Sequence, residues 1–421
     1  MPNEPRSAKS NTLLIALLTG LSVVSYIARS NISVAAKFIK PELGLTDVQM
    51  GQVFSSFLIG YSLFQIPAGR LGDRFGPRVV LAASALCWAL MSLLTGLVPG
   101  MVVSGTFGVL GTFFVLRFLL GVSEASTYPV AARAIADWLP PTARAQANAI
   151  VITGAMLGSA VTPPLIAWAM TNLGWRQSFY VTSVLAFVIA GVWWLLVRDH
   201  PSGASVPGTS RGAPSNAAPA SWGKLLRDRN IVLLSLSYFA EGYVLYIFVF
   251  WLYTYLVDVR HFSVLRGGVF AALPWLVASV LTPLGGALSD RFALRFGDLP
   301  GRRVVVMTGF ILSGIFLLCG ATVGNPYLAI AALGLAVGFT EFTEGTFWAT
   351  TSNIAGAHAG AATGIMNMMG NLGGVASTMG VPVLVKYFGW VVALGSGSVL
   401  AVVAAALWLA IDWRPELRTD T

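Results

Sequence analysis

The sequence is poor in charged residues, cysteine and histidine. Charged side chains make up 10% of its 421 residues, whereas roughly a quarter is usual in a soluble domain. The two cysteines, Cys87 and Cys319, lie in apolar stretches, where we expect each to be a small buried hydrophobic residue outside any disulfide. The three histidines form no HExxH or Cys/His spacing, so neither a metal nor another cofactor is expected.

Hydrophobic residues are abundant instead. They make up 56% of the chain, which predicts an integral membrane protein. The first apolar run follows a basic start but has no Ala-x-Ala cleavage site, so we expect an uncleaved span. There is no phosphate-binding glycine loop, no catalytic Ser/His/Asp context and no large hydrophilic domain. We therefore expect a protein that is neither an enzyme nor a sensor.

Twelve stretches have the roughly 20 apolar residues that a helix needs to cross the hydrocarbon core of a bilayer. They are 13–37, 48–69, 78–98, 106–130, 145–171, 177–197, 230–257, 266–288, 304–322, 327–349, 359–385 and 390–412. The prediction is an all-α membrane protein with twelve transmembrane helices. Because the number is even, both termini lie on the same side of the membrane.

The basic residues are divided unevenly between the two sides of the membrane. Eighteen of the 26 lysines and arginines fall on the side of the termini, and six fall on the other side. Since basic loops stay in the cytoplasm, both termini are predicted to be cytoplasmic in the inner membrane of the cell. This distribution accounts for the net charge of +9 without a nucleic-acid partner. The remaining two basic residues, Arg29 and Arg117, lie within apolar stretches.

One long hydrophilic stretch, 198–229, is rich in Gly, Ser, Pro and Ala, as flexible linkers are. It separates an N-terminal six-helix bundle, 1–197, from a C-terminal six-helix bundle, 230–421. The halves share short motifs, since GRLGDRF at 69–75 recurs as GALSDRF at 286–292. Such a repeat indicates a duplicated six-helix unit.

The loop after the second apolar stretch reads GRLGDRFGPR. Its glycines allow a tight turn, and its charges can pair with a helix end or with the opposite bundle. It resembles the loop signature G-x-x-x-D-R-x-G-x-R of the major facilitator superfamily, which implies two six-helix bundles and a gating role for the loop. A charged turn that only anchors the topology is the alternative. The implied gating residues are Gly69, Asp73, Arg74, Gly76 and Arg78, with Asp290 and Arg291 in a weaker second copy.

Three stretches, 26–35, 117–140 and 364–374, resemble the anion:cation symporters of that superfamily. These include bacterial hexuronate and galactonate carriers and vesicular glutamate and sialic acid carriers. The helix 1 motif of the family is Tyr-x-Asp-Arg-x-Asn, and Ala28 here takes the place of the aspartate. The change removes a carboxylate implicated in proton coupling in the bacterial sugar-acid carriers, although the vesicular carriers also lack an acid there.

Two arginines and one glutamate carry charge into the apolar stretches. Arg117 and Glu124 are seven residues apart, so a helix projects both from nearly one face with a rise of about 10.5 Å, too far for an easy salt bridge. Guanidinium groups bind carboxylates in a bidentate fork, which makes Arg29 and Arg117 candidates for binding an organic anion. Pairing with internal carboxylates is the alternative. The resemblance favours anion binding, because both match the family's substrate-binding arginines.

Glu124 is the candidate proton carrier, since an anion that occupies an arginine would favour protonation of a nearby carboxylate. Glu241, Glu341 and Glu344 are secondary candidates for proton coupling. Glu341 and Glu344 are three residues apart and share a helix face. The three acids bind a cationic group of the substrate, bind a proton or cation, or pair with the arginines, and the sequence leaves these roles open.

Five uncharged side chains complete the predicted substrate site. Tyr26 and Tyr61 offer hydroxyls, Trp348 a flat apolar face, and Asn367 and Asn371 two amides on one helix face. Packing is the alternative for Tyr61 and Trp348, since both residue types also anchor membrane helices. Amides rarely face lipid, which favours a cavity position for the asparagines.

The sequence as a whole predicts a monomeric, proton-coupled carrier of a small organic anion such as a sugar acid, working by alternating access. The alternative is an exporter or antiporter of drugs or metabolites on the same scaffold. That alternative is based on TGAMLGSAVTPPL, which partly matches the antiporter glycine motif but lacks its Gly-Pro dipeptide. The intramembrane arginines disfavour it.

Overall fold

The computed structural model describes residues 8–198 and 222–412. Both chain ends and most of the predicted linker at 198–229 lie outside the described residues. Apart from one bridge between Pro99 and Val103 and short turns, the described residues are helical.

Seven helices make up the first half of the described chain, and short turns join them. They are α1 (Ala8–Leu43), α2 (Asp47–Phe75), α3 (Pro77–Leu97), α4 (Thr106–Glu124), α5 (Thr127–Trp138), α6 (Pro141–Asn172) and α7 (Trp175–Leu196).

The second half has a similar order of long helices, with several additional short elements and with its last two long helices continuous in α15. Its helices are α8 (Trp222–Leu225), α9 (Arg229–Phe250), α10 (Leu252–Thr254), a π-helix (Tyr255–Val259), α11 (Val264–Phe296), α12 (Asp298–Thr322), α13 (Pro326–Glu341), α14 (Glu344–Ala355), a 3₁₀ turn (Gly356–His358), α15 (Ala359–Leu407) and a final 3₁₀ turn (Trp408–Ala410).

Local sequence signals explain where several helices begin. Thr46 caps α2 through a capping box with Gln49, in which each side chain accepts a hydrogen bond from the other residue's backbone N–H. Asn325 caps α13 by accepting from two backbone N–H groups, and Pro326 occupies the first helical position.

Ten helical stretches of the described chain are long and apolar enough to cross a membrane. The predicted span at 48–69 corresponds to α2, which is not among the ten. Two other predicted spans, 359–385 and all but the last two residues of 390–412, fall within one stretch, Ala359–Ala410. Gly389, with φ 82° and ψ 172°, interrupts the helical backbone between them.

Two of the predicted spans are broken helices. Where the sequence predicts one helix over 106–130, α4 ends at Glu124 and α5 begins at Thr127. The predicted span at 327–349 breaks in the same way, since α13 ends at Glu341 and α14 begins at Glu344. The breaks are 217 residues apart at both edges, the same offset as the repeated loop motif. The internal repeat therefore extends to these breaks.

A hydroxyl side chain hydrogen-bonds its own helix just before each break. Before the first break, the Ser123 hydroxyl donates to the Leu120 carbonyl at 2.8 Å. Before the second, the Thr340 hydroxyl donates to the Ala336 carbonyl at 3.0 Å. Such back-bonding competes with the helical hydrogen bonds and bends helices.

The cysteines differ from the prediction. Cys87 on α3 and Cys319 on α12 are exposed free cysteines, not buried ones. Both lie in membrane-spanning helices, where an apolar stretch has a face turned away from its own bundle. Apolar surroundings in sequence therefore did not distinguish the outward face from the core.

The described chain divides into two compact units. Unit 1 contains α1–α7 together with 262–272, which includes the start of α11. Unit 2 contains α8–α10, the rest of α11, and α12–α15. In unit 1, α1 packs against α6 and α7, and α2 packs against α4. In unit 2, α9 packs against α15, and α12 packs against α13 and α15.

Candidate functional site

Arg29 lies inside unit 1 and pairs with Glu124. Its Nη2 and Nε lie 3.2 and 3.3 Å from Glu124 Oε2, and the two side chains are 3% and 0% exposed. Three rings surround the guanidinium, with centroids 4.5 Å (Tyr26), 4.9 Å (Phe57) and 4.6 Å (Tyr61) from its central carbon. The arginine charge is therefore stabilised by one carboxylate and by three cation–π contacts.

Close packing between α2 and α4 allows this arrangement. A Cβ atom at Gly121 would fall against the carbonyl of Phe57, so only glycine permits such an approach. It brings Phe57 and Tyr61, which lie four residues apart on α2 and stack with ring centroids 5.9 Å apart, next to the arginine of α1.

Arg117 is buried beside this pair without a carboxylate of its own. It is 1% exposed, its Nη1 donates to the Ala28 carbonyl at 3.0 Å, and its guanidinium lies 5.7 Å from the centroid of the Phe179 ring. Its Nε and Nη2 have no hydrogen-bond partner among the described residues. Two buried N–H groups of the Arg117 guanidinium can therefore donate to a hydrogen-bond acceptor.

The observed pairing matches one alternative that the sequence left open. Helical spacing predicts no easy salt bridge between Arg117 and Glu124, and the carboxylate hydrogen-bonds Arg29 instead. Glu124 still interacts electrostatically with both arginines. The predicted anion-binding arginines and the predicted proton carrier therefore form one buried charge cluster.

Sequence reasoning missed a polar network that fixes α1 against α7. Asn31 is fully buried, and its Nδ2 donates to the Thr182 hydroxyl at 2.9 Å and to the Ser178 carbonyl at 3.2 Å. The Ser178 hydroxyl donates back to Asn31 Oδ1 at 3.1 Å. The presence of Asn31 in an apolar run, two residues after Arg29, could have indicated this network. The network holds the Arg29 segment in place.

Unit 2 contains the other predicted acids. Glu344 accepts hydrogen bonds from the Tyr238 hydroxyl, at 2.9 and 3.0 Å to its two oxygens, and from Trp348 Nε1 at 2.7 Å. Glu241 and Glu341 are 2% and 8% exposed. Glu241 lies three residues after Tyr238 on α9 and interacts electrostatically with Glu344 and Glu341, so the three acids lie in one region of unit 2. Trp348, predicted to contact substrate, binds one of them through its indole N–H.

The predicted asparagines lie together on α15. The Asn371 amide nitrogen donates to the backbone carbonyl of Asn367 at 2.9 Å. The Tyr246 hydroxyl donates to Asn371 Oδ1 at 2.9 Å, and Asn371 is 5% exposed. Asn371 therefore faces the interior of unit 2, in contact with α9.

The loop motif forms a turn and an ion-pair network within unit 1. Gly76 has φ 83°, a backbone conformation that favours glycine, and it allows the sharp turn between α2 and α3. Asp73 pairs with Arg133 of α5 at 3.0 Å, and Arg133 also pairs with Asp137 at 2.9 Å. The acid of the motif therefore connects the end of α2 with α5.

The remaining residues of the motif lie on or near the same turn. Arg78 donates to the Trp194 carbonyl near the end of α7 at 3.1 and 2.8 Å. Gly69 faces Pro129 of α5, and Arg74 is exposed. The expected pairing with a helix end thus occurs for Arg78.

The second copy of the motif contributes Asp290 and Arg291. Asp290 lies 3.8 Å from Arg302, which pairs at 2.7 Å with Asp298. Asn353 of α14 donates to Asp298 at 3.1 Å, and Arg291 is exposed. No group of three or more His, Cys, Asp or Glu residues in the described ranges is arranged to hold a metal ion.

Known proteins provide a comparison for this arrangement. Residues 18–297 match the family model described as Major Facilitator Superfamily. The chain is 32% identical over 382 residues to a probable sulfoacetate transporter of Cupriavidus necator. The alignment covers 88% of this chain and 86% of that protein. It is 28% identical over 377 residues to a hexuronate transporter of Bacillus subtilis, covering 87% of this chain and 86% of that protein.

A solved structure has a similar fold. The crystal structure of a bacterial homologue of the human lysosomal transporter Spinster, in an inward-facing and occupied conformation, matches with a TM-score of 0.78. The match covers 97% of this chain and 100% of that chain at 19% sequence identity. At this identity the similarity concerns the fold alone.

Proposed function

The chain belongs to the Major Facilitator Superfamily, and on that premise we propose that it carries a small organic anion across the membrane by proton-coupled symport. The superfamily and both relatives are transporters, so the chain is a multi-pass transporter and not an enzyme. Sulfoacetate and hexuronate, for which the relatives are named, are both organic acids. A carboxylate or sulfonate of similar size is therefore the proposed substrate.

The proposed topology has twelve membrane-spanning segments in two bundles, 1–197 and 230–421, joined by a cytoplasmic linker. As one helix, the 52 residues of Ala359–Ala410 would be about 78 Å long, against a hydrocarbon core of roughly 30 Å. This stretch must therefore supply two segments, with the turn at Gly389. Helix α2 has 29 residues and supplies the twelfth segment. The excess of basic residues supports cytoplasmic termini in the inner membrane of a monomeric carrier.

An excess of buried positive charge supports the choice of an anion. The buried charged side chains of unit 1, in its described part, are Arg29, Arg117 and Glu124. The one carboxylate balances Arg29, and Arg117 keeps two donors without a partner. A buried charge without a counter-ion is costly, and a bound carboxylate or sulfonate would lower that cost. We take Arg117 as the first contact of the substrate's acidic group.

Proton coupling is proposed to occur through Glu124. In this structure the Glu124 carboxylate is paired with Arg29, so an acidic group of the substrate must displace it to reach the guanidinium. A proton on Glu124 removes its charge and releases Arg29 for the substrate. One ion pair then replaces another, and neither buried charge is left unpaired during the exchange. Proton uptake and anion binding therefore favour one another.

The other predicted residues take supporting roles in this proposal. Tyr26 and Tyr61 contact the Arg29 guanidinium with their rings and are proposed to contact the substrate beside it. In unit 2, Asn367, Asn371 and Trp348 remain candidate polar and aromatic contacts. The loop residues Gly69, Asp73, Arg74, Gly76 and Arg78, with Asp290 and Arg291, are assigned to gating.

A thermal-shift screen of the purified protein tests the anion site. The panel contains sulfoacetate, hexuronates, dicarboxylates and amino acids, and a binding anion at a hundredfold excess over Kd should stabilise the fold by about 2.7 kcal/mol. Arg117→Ala should lose this shift, and Arg117→Lys should retain part of it. Arg144→Ala is the matched control, because Arg144 also donates to backbone carbonyls but lies outside the cluster. Equal stabilisation of Arg117→Ala and the wild type would refute the assignment.

A further inference from the structure

The two halves differ in how they neutralise an equivalent carboxyl group. Glu124 is the last residue of α4 and Glu341 the last residue of α13, at the repeat offset of 217 residues. At the same offset, the position of Arg29 corresponds to Tyr246. Tyr246 donates its hydroxyl to Asn371. The repeat therefore conserves the acid at the helix break, whereas its arginine partner is replaced by a neutral phenol.

Glu341 instead has acidic neighbours. Glu344 begins α14 on the other side of the break and interacts electrostatically with Glu341. Glu344 is stabilised as a carboxylate by two donors, the Tyr238 hydroxyl and the Trp348 indole. Glu341, which is 8% exposed, has no such donor among the hydrogen bonds of the described residues. Two like charges at a buried helix break repel each other unless a positive charge or a proton separates them.

A third carboxyl group lies near this pair, because Glu241 follows Tyr238 by three residues on α9 and Tyr238 donates to Glu344. Glu241 of α9 is 2% exposed, and its Oε1 has no hydrogen-bond partner in the described part of the chain. Its electrostatic interactions are with Glu344 and Glu341. An unpartnered oxygen of a buried acid is costly if the acid is charged. A positive charge or a proton at this site would lower that cost.

Among the described residues, no basic side chain interacts electrostatically with these three acids. The titratable groups that interact with Glu241, Glu341 and Glu344 are one another and Tyr238. Arg302, a buried arginine of unit 2, pairs with Asp298 and lies 3.8 Å from Asp290. The described residues of unit 2 therefore supply no cation to balance the three acids.

We propose that Glu241, Glu341 and Glu344, here called the glutamate cluster, bind a second coupling proton, separate from the one carried by Glu124. In the proposed step, a proton from solvent binds one carboxylate oxygen and converts it to a carboxylic acid. The acid then donates a hydrogen bond to a neighbouring carboxylate of the cluster. This proton loads and unloads in each transport cycle, so the carrier takes up two protons with each anion. The stoichiometry rests on the proposed function, whereas proton binding at the cluster does not.

A proton fits the cluster better than the other cations. The cluster is not arranged to hold a metal ion, and one of its three carboxyl groups, Glu344, is already held by two donors. The relatives are named for sulfoacetate and hexuronate, neither of which contains an ammonium group. A proton requires only a carboxylate oxygen within reach of solvent.

Infrared spectroscopy of the purified protein tests proton binding without any transport. The difference spectrum between acidic and alkaline buffer should contain a carboxylic acid C=O band that is lost in Glu341→Gln and reduced in Glu241→Gln. The variant that carries both substitutions should lose no more band intensity than Glu341→Gln alone, because one proton is shared and the two sites titrate together. Asp47→Asn is the matched control, since it removes an exposed acid and should leave the band unchanged.

Reversal potentials in proteoliposomes then test the coupling. With any anion that the panel identifies, the wild type should move two protons for each anion, and Glu341→Gln should move one. An unchanged infrared band in both cluster variants would refute the proton site. A band that responds as predicted, together with an equal proton ratio in wild type and Glu341→Gln, would refute its coupling.

An amino-acid ligand whose thermal shift depends on Glu341 would also overturn the proposal, because an ammonium would then fill the cluster. If no anion is transported, the proposed function fails, and the infrared result still decides the site.

Discussion

The Arg29–Glu124 pair leads to a prediction for a double-mutant cycle. Arg29→Met leaves Glu124 as an unpaired carboxylate in a site where both side chains are nearly inaccessible. Breaking a buried pair in this way costs about 3–5 kcal/mol. Glu124→Gln leaves Arg29 between three rings. Cation–π contacts in a desolvated site stabilise the unpaired guanidinium by about 2 kcal/mol. Arg29→Met should therefore destabilise unit 1 more than Glu124→Gln.

The double variant should cost clearly less than the sum of the two single variants, since neither charge remains. Thermal unfolding followed by tryptophan fluorescence measures the three effects. A loss of 3–5 kcal/mol lowers Tm by on the order of 10 °C for units of this size. Additive effects would refute the argument, because they would mean that the two side chains do not stabilise each other.

The pH dependence of the same variants has a defined sign. In Arg29→Met the cost arises from the negative charge of Glu124, so it should be large in alkaline buffer and disappear in acid as that carboxylate binds a proton. In Glu124→Gln the unpaired group is an arginine, which stays charged, so this pair should add no pH dependence to the stability of that variant. Parallel pH profiles for the two variants would contradict this explanation.

Two further variants test how the helices and the loop are held. Arg133→Gln removes the partner of Asp73 in a partly exposed network, so it should change the unfolding free energy by less than about 1 kcal/mol but slow transport several-fold, as compared by thermal unfolding and initial uptake rates. Gly121→Ala should destabilise by about 1–3 kcal/mol, because its Cβ would press on the Phe57 carbonyl, whereas Gly111→Ala on the same helix faces open space and should not. Equal Tm values for the two alanine variants would refute the packing argument.

Much of the helical scaffold follows from the sequence, because apolar length directly determines where a helix can cross a bilayer. The helix breaks after Glu124 and Glu341 do not, since the polar residues around them, SEAST at 123–127 and TEFTEGT at 340–346, are also compatible with a continuous helix that lines a cavity. The exposure of Cys87 was also unpredictable from its apolar surroundings. Outward and inward faces are both apolar in a membrane helix.

The candidate site was predictable residue by residue but not in its pairing. Intramembrane charge identifies Arg29, Arg117 and Glu124, because each is costly in lipid. Helical spacing relates only residues of one helix, and the partner of Glu124 lies 95 residues away on α1. By contrast, the contact of Trp348 with Glu344 lies within one helical turn and could have been predicted from its spacing. Contacts between helices require the packing of the whole unit.

The central claim is that anion binding at Arg117 and proton binding at Glu124 are coupled. Proteoliposomes that contain a pH-sensitive dye in their lumen test it most directly, with sulfoacetate added outside in the absence of any imposed gradient. We predict that inward anion movement acidifies the lumen in wild-type vesicles, and that neither Arg117→Ala nor Glu124→Gln produces this signal. Acidification of equal size in Glu124→Gln, or radiolabelled anion uptake by the wild type without any acidification, would contradict the account.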